Sequence, residues 1–220
     1  MIYGYSAPEK NPITTSNQKK ENKAIYISCL KTGELIEQIF LDDIINKIRT
    51  QEKINYICPN IFHIKINTAS DKIFFVLHSY NSVLKISPRK QLILYDIKSY
   101  TFKVIVSAKE WDNGGHHPSW INERMILMNL KIDKKMRFVS IDTVTLEKTI
   151  LSKKILGGGH PTLVNNKRII TDAYVSEPFV NSKKHVALRD IDINNDTEKV
   201  ISYVNTNRVS GDCRIDPHPY

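Results

Sequence analysis

The sequence predicts an all-β chain built of four-stranded antiparallel sheets, and three observations carry that prediction. Short runs rich in β-branched and aromatic residues, bounded by polar turns, pair into hairpins along the chain. Two such hairpins recur in each stretch of about 45 to 50 residues, a period that marks architectures repeating one supersecondary unit. A histidine–proline element recurs with them, at Gly114-Gly115-His116-His117-Pro118-Ser119-Trp120, at Gly158-Gly159-His160-Pro161-Thr162-Leu163 and at Asp216-Pro217-His218-Pro219-Tyr220. Two hairpins make a four-stranded sheet, which is one blade of a β-propeller. Histidines at equivalent points of successive blades would converge on one side, so imidazoles distant in sequence can share a site.

Taken in order, residues 24–30 read as a strand closed by the tight turn Lys31-Thr32-Gly33-Glu34. Residues 35–48 place Ile36, Ile39, Phe40, Ile44 and Ile48 on one face of a short amphipathic helix. Residues 63–67 and 71–77 form a hairpin, and 91–96 with 101–106 form the next. The pattern repeats with 117–120 and 123–129, then with 136–142 and the strand beyond Thr143-Val144-Thr145-Leu146. It starts again with 160–164 and 167–172. Blades are expected at 60–108, 116–155 and 160–204, with a partial blade at 1–49 and the start of another at 216–220, all in one propeller domain. Tyr220 falls inside a strand and Met1 opens within a blade, so the sequence reads as about four blades of a larger ring.

At 220 residues, 41% hydrophobic and 25% charged, the composition is that of an ordinary globular protein. No apolar run approaches the roughly 18–20 residues of a membrane span. The first residues lack the charged segment and apolar stretch of a signal peptide. Cys29, Cys58 and Cys213 are odd in number and far apart, which fits a reducing, cytoplasmic setting rather than a disulfide framework or a zinc ribbon. The net charge of +9 falls almost wholly beyond residue 53 and favours anionic partners, acidic saccharides among them. The alternative is a solvated Lys/Asn-rich surface that reflects base composition. No run of Lys and Arg interleaved with aromatics stands out, which argues against nucleic acid, and no membrane partner is expected.

At its histidine–proline elements the chain resembles the oligogalacturonate lyase family and its propeller relatives. The stretches that carry the resemblance are Gly115-His116-His117-Pro118-Ser119-Trp120 with Ile126-Leu127-Met128-Asn129-Leu130, Gly159-His160-Pro161 with Ile170-Thr171-Asp172-Ala173-Tyr174, and Arg214-Ile215-Asp216-Pro217-His218-Pro219. The resemblance implies a seven-bladed propeller that cleaves short pectic oligosaccharides by β-elimination at a uronate, helped by a divalent metal, Mn2+. It matches His117 to the base and His160 and His218 to metal ligands. The family has a glutamine and a first histidine where this chain has Cys213 and Asp216. Asp216 can still ligate a hard cation, whereas Cys213 is a poor replacement for an amide oxygen.

The implied chemistry needs a cation to neutralise the uronate carboxylate, a base of near-neutral pKa, and arginines to grip neighbouring carboxylates. Arg208 and Arg214 beside the third element suit the last role, and His116 stands on the substrate side. His117 and His160 also have a structural alternative, as strand-entry residues that cap the blade, and His116 has one as the residue that orders the turn. Asp172 reads as pinning the blade through hydrogen bonds, and Trp120 and Phe74 read as core. Gly157-Gly158-Gly159 enters a strand with no Gly-Lys-Ser/Thr behind it, so it is not a phosphate loop. Two functional readings result: a lyase acting on uronate oligosaccharides, or a non-catalytic propeller module that binds a protein or glycan.

Overall fold

The structure is a computed structural model that describes residues 2–6, 23–81 and 86–206. Its fold is all-β and made of propeller-type blades. β1 (Ile2–Ser6), β2 (Ala24–Ser28) and β3 (Leu35–Phe40) form a three-stranded antiparallel sheet, followed by helix α1 (Leu41–Arg49). A four-stranded sheet comprises β4 (Pro59–Ile66), β5 (Lys72–Asn81), β6 (Ile86–Asp96) and β7 (Thr101–Val106). After the single turn α2 (Ala108–Asp112), the next comprises β8 (Gly115–Trp120), β9 (Met125–Ile132), β10 (Lys135–Asp142) and β11 (Lys148–Ile150). The last comprises β12 (Thr162–Val164), β13 (Arg168–Thr171), β14 (Val186–Asp192) and β15 (Thr197–Val204). Strands within each sheet are adjacent in chain order, so every blade is built from contiguous sequence and local hairpins.

The chain divides into two compact units, Met1–Ala108 and Lys109–Tyr220. In the first, Ile25, Ile27, Ile44, Ile48, Ile73, Phe75, Leu77 and Ile93 form one buried cluster between the two sheets and α1. In the second, Leu127, Phe138, Ile169 and Ile191 play the same part. Alternate residues of each central strand supply these contacts, as a period of two dictates. Each large apolar side chain so buried contributes about 1.5–3 kcal/mol.

Two sequence expectations are corrected. Residues 35–40 are the strand β3, paired in register with β2 from Ala24↔Phe40 to Ser28↔Leu35, and the helix begins only at Leu41. Ile36, placed on the apolar helical face by its spacing, is 54% exposed. Pairing with β2 satisfies the backbone of the β-branched stretch, and the helix starts where Asp42 and Asp43 can occupy the first turn and Lys47 and Arg49 the last. Phe74 is core as expected, but Trp120 is only half-buried. The buried tryptophan is Trp111, whose Nε1 donates to the Gly115 carbonyl at 2.9 Å.

The outer hairpins share one turn. Asp96 Oδ1 accepts from the amides of Lys98 and Ser99, Asp142 Oδ1 from Val144 and Thr145, and Asp192 Oδ1 from Asn194 and Asn195. The fifth residue of each turn is left-handed: Tyr100 at φ 56°, Leu146 at 64° and Asp196 at 55°. Cys29 and Cys58 are free thiols. Among the described residues, no helix is long and apolar enough to cross a membrane.

An acid-sensitive clasp lies in the β4–β5 turn. Asp71 accepts from Asn67 Nδ2 at 2.8 Å, Lys98 Nζ at 3.1 Å and Lys72 Nζ at 3.2 Å. These donors, Asn67 first, hold its carboxyl down at about 2. A depressed carboxyl pKa contributes stability above the ordinary value of 3.8, and that contribution is lost as pH falls through about 2. Asp71→Asn is therefore expected to lower the thermal midpoint at pH 7. The gap to the parent should close between about pH 4 and pH 2 in a pH series of melting curves.

Candidate functional site

Two of the three histidine–proline elements lie in the described residues, both in the second unit. The β8 strand carries the first. A bulge between His116 and Ser119 interrupts its pairing with β9, and His117 stands inside it at φ 53°. A left-handed conformation brings the Cβ of any non-glycine residue close to the following carbonyl, and it is less favourable still for a residue that precedes a proline, here Pro118. Such strain, on the order of 1 kcal/mol, persists where the surroundings over-determine it. The effect of the bulge is to turn the His117 ring out of the strand's regular alternation. β4 has a bulge of the same kind, with His63 left-handed at φ 52°.

The second element precedes β12. Asn129, fully buried on β9 and directly across the ladder from His116, fixes the loop that leads into it. Its Oδ1 accepts from the Gly158 amide at 2.9 Å, and its Nδ2 donates to the Gly159 carbonyl at 2.9 Å and faces His116 Nδ1 at 3.3 Å. Gly159 at φ 59° then delivers His160 against Asp172, just beyond β13. Asp172 is 1% exposed and accepts twice from the same residue: the His160 backbone amide donates at 2.6 Å and its ring Nδ1 at 2.9 Å. Asp172 thus pins the blade entry, as the sequence suggested, and fixes the His160 ring as well.

Tyr174 completes the cluster. Its hydroxyl lies 3.1 Å from His160 Nε2 and is in short hydrogen-bond contact with His117 Nε2. The ring centroids of His117 and His160 are 3.8 Å apart, and those of His116 and His117 are 4.8 Å apart. With both imidazoles taken as neutral, the donor inventory orders the protons. A carboxylate only accepts, so His160 Nδ1 carries hydrogen and Nε2 accepts from Tyr174. The Tyr174 oxygen then accepts from His117 Nε2–H, which makes Nδ1 the basic nitrogen of a neutral His117.

Glu177 stands behind this row. Its carboxylate accepts from the Tyr174 amide at 2.9 Å and the Gly159 amide at 3.2 Å, and lies 3.7 Å from His116 Nε2. Burial pushes its carboxyl above the ordinary value, against the opposing pull of those two amides.

The structure thus brings together His116, His117 and His160. His218, Asp216, Arg214 and Arg208, together with Cys213, lie outside the described residues. Sequence reasoning gave no role to Tyr174, Asn129 or Glu177. A polar residue inside the apolar run 125–132 was the available signal for Asn129, whereas Glu177 sits in a turn with nothing to mark it. For a divalent cation, His160 can serve as one donor only when the Tyr174 hydroxyl leaves Nε2, since Nδ1 is held by Asp172 and Nε2 by Tyr174. Among the described residues, no three His, Cys, Asp or Glu side chains are grouped so as to hold one metal ion.

No family model matches the chain, and no curated protein matches it by sequence. Among solved structures it is similar to TolB from Acinetobacter baumannii, a β-propeller protein, at 14% identity and a TM-score of 0.51, over 82% of this chain and 37% of that one. It is also similar to an acylaminoacyl peptidase in complex with Z-Gly-Gly-Phe-chloromethyl ketone, at 13% identity and a TM-score of 0.43, over 70% of this chain and 26% of that one. The chain therefore spans well under half the length of either. At such identity the likeness to TolB shows the propeller fold alone, and the second carries no argument.

Proposed function

We propose that this chain acts on acidic oligosaccharides at the His116–His117–His160 cluster, cleaving uronate-containing chains by β-elimination in the manner of the oligogalacturonate lyases it resembles. The observation that carries the reading is the convergence of His117 and His160 on one tyrosine hydroxyl, with His160 backed by the buried Asp172. A row of this kind holds a neutral imidazole in one tautomer and gives it a route for proton exchange. The net charge of +9 supports an anionic substrate. The same reading places the protein in the cytoplasm, with no membrane or nucleic-acid partner.

In the proposed reaction His117 removes the proton on the carbon beside the uronate carboxylate. The electron pair forms a carbon–carbon double bond, and the bond to the glycosidic oxygen breaks. The departing oxygen takes up a proton, and His117 returns its own to solvent. His116 orients the substrate, while Asp172 and Glu177 hold the loop and rings in place. His160, with Tyr174 turned away from its Nε2, would hold Mn2+ together with Asp216 and His218, and the ion would supply positive charge against the carboxylate.

The test combines metal content with product formation. Parent and His160→Ala proteins are stripped, reloaded with manganese and measured by mass spectrometry. Each is then incubated with oligogalacturonate while the ultraviolet absorbance of the conjugated product is followed. The parent is expected to retain metal that His160→Ala loses, and His117→Ala to slow product formation by about 100-fold or more. Metal content indifferent to His160, with no product from the parent, overturns the lyase reading. Sugar binding without product would leave the non-catalytic one.

A further inference from the structure

A second feature suited to a sugar lies in the first unit. A surface pocket of about 430 Å³ opens between α1 and the turn leading into β7, lined by Asn46, Lys47, Gln51, Tyr100, Thr101 and Phe102. That volume falls within the range of small-molecule sites. One wall is fixed: Gln51 Nε2 donates to the Phe102 carbonyl at 2.8 Å, and its Oε1 accepts from the Val104 amide at 3.0 Å, tying the end of the helix to the edge strand.

Tyr100 is the informative residue. It occupies the left-handed position of the turn that recurs in three blades, where Asn, Asp or Gly fits at little cost. In the last blade that position is Asp196, which accepts from Ser152 Oγ and from the Lys154 amide at 3.3 Å, so it fastens the structure. In the preceding blade it is Leu146, which is half-buried. Tyr100 is 64% exposed at φ 56°. Neither the turn nor the core explains an aromatic there, and the ring borders the pocket.

We infer that this pocket is a carbohydrate-binding subsite for an acidic sugar, separate from the histidine cluster. The apolar C–H face of a pyranose packs on the exposed ring of Tyr100, the Asn46 amide meets sugar hydroxyls, and the Lys47 ammonium meets a uronate carboxylate. Asn46 and Lys47 are both exposed on the helix surface beside the ring. Only the choice of a uronate over other acidic sugars rests on the proposed function. Occupation of the pocket does not require cleavage.

The test uses the full chain carrying His117→Ala, titrated with a galacturonate trisaccharide and followed by NMR at the Tyr100 ring and the Asn46 side-chain amide. Saturable shifts at both are expected. Tyr100→Asn, which suits the left-handed turn and keeps the fold, should weaken binding there about ten-fold or more. A neutral galactose trisaccharide should bind more weakly than the acidic one, and Lys47→Gln should remove that difference. The inference is overturned if the acidic sugar moves neither resonance, if Tyr100→Asn binds like its parent, or if the neutral sugar binds equally well. Shifts at Tyr100, combined with a parent that forms no product, would keep the subsite while removing the lyase reading.

Discussion

Gly159→Ala is expected to dismantle the His160 site and to destabilise the unit that carries it by about 3 kcal/mol or more, among the larger effects a single methyl group can have. An added Cβ would lie 2.0 Å from the Asp172 carbonyl oxygen and 2.4 Å from its carbon. Both atoms are backbone, so no rotamer change relieves the contact, and the left-handed φ of 59° adds strain of its own. The loop must withdraw from residue 172, and withdrawal breaks the double hydrogen bond that Asp172 receives from His160. A thermal midpoint lower by about 10 °C is the expected reading, with loss of whatever metal the parent binds. A variant that melts with its parent and retains the His160 ring environment in NMR would contradict this account of the loop.

Asp172→Asn should have the next largest effect, and a more specific one. Ring Nδ1 lies 2.9 Å from both carboxylate oxygens. An amide oxygen can therefore still accept from the His160 backbone and share the ring proton, but the Nδ2 group in the other oxygen's place then meets ring Nδ1 donor to donor. The imidazole relieves the clash by moving its proton to Nε2, so that Nδ1 accepts instead. His160 would then present a hydrogen to Tyr174 where it now presents a lone pair. The row His117–Tyr174–His160 must reverse its donors or break. Stability is expected to fall by about 2 kcal/mol, because a charge-assisted buried bond is weakened. If His160 ligates manganese as proposed, affinity for it is expected to fall by about 10- to 100-fold. Imidazole nitrogen shifts report the tautomer directly. Retention of the Nδ1–H form in Asp172→Asn would show that some other contact fixes the ring.

Much of the architecture was legible in the chain because hairpins are local. The unbroken apolar runs within 71–77, 91–96 and 123–129, each bounded by polar turns, mark buried strands and their hairpin partners without knowledge of the rest of the fold. The misreading of 35–40 has the same root. Ile36, Ile39 and Phe40 suit a strand and a helix equally, and only the facing β2 decides between them. The site was legible in part, since His116, His117 and His160 announced themselves by their prolines and glycines. Tyr174, Asn129 and Glu177 did not. Each acts on a residue distant in sequence: Tyr174 on His117, Asn129 on the loop at Gly158–Gly159, and Glu177 on His116.

By itself, then, the sequence determined the blade repeat, the hairpin order and the histidines that enter strands, because those follow from periodicity, turn chemistry and the backbone demands of Gly and Pro. Only the tertiary structure decided which nitrogen of each imidazole faces which partner, that a buried carboxylate stands behind His160, and that an exposed tyrosine at a left-handed turn borders a pocket. Those properties arise when residues from different hairpins pack together, where burial and hydrogen-bond geometry set the chemistry of each group.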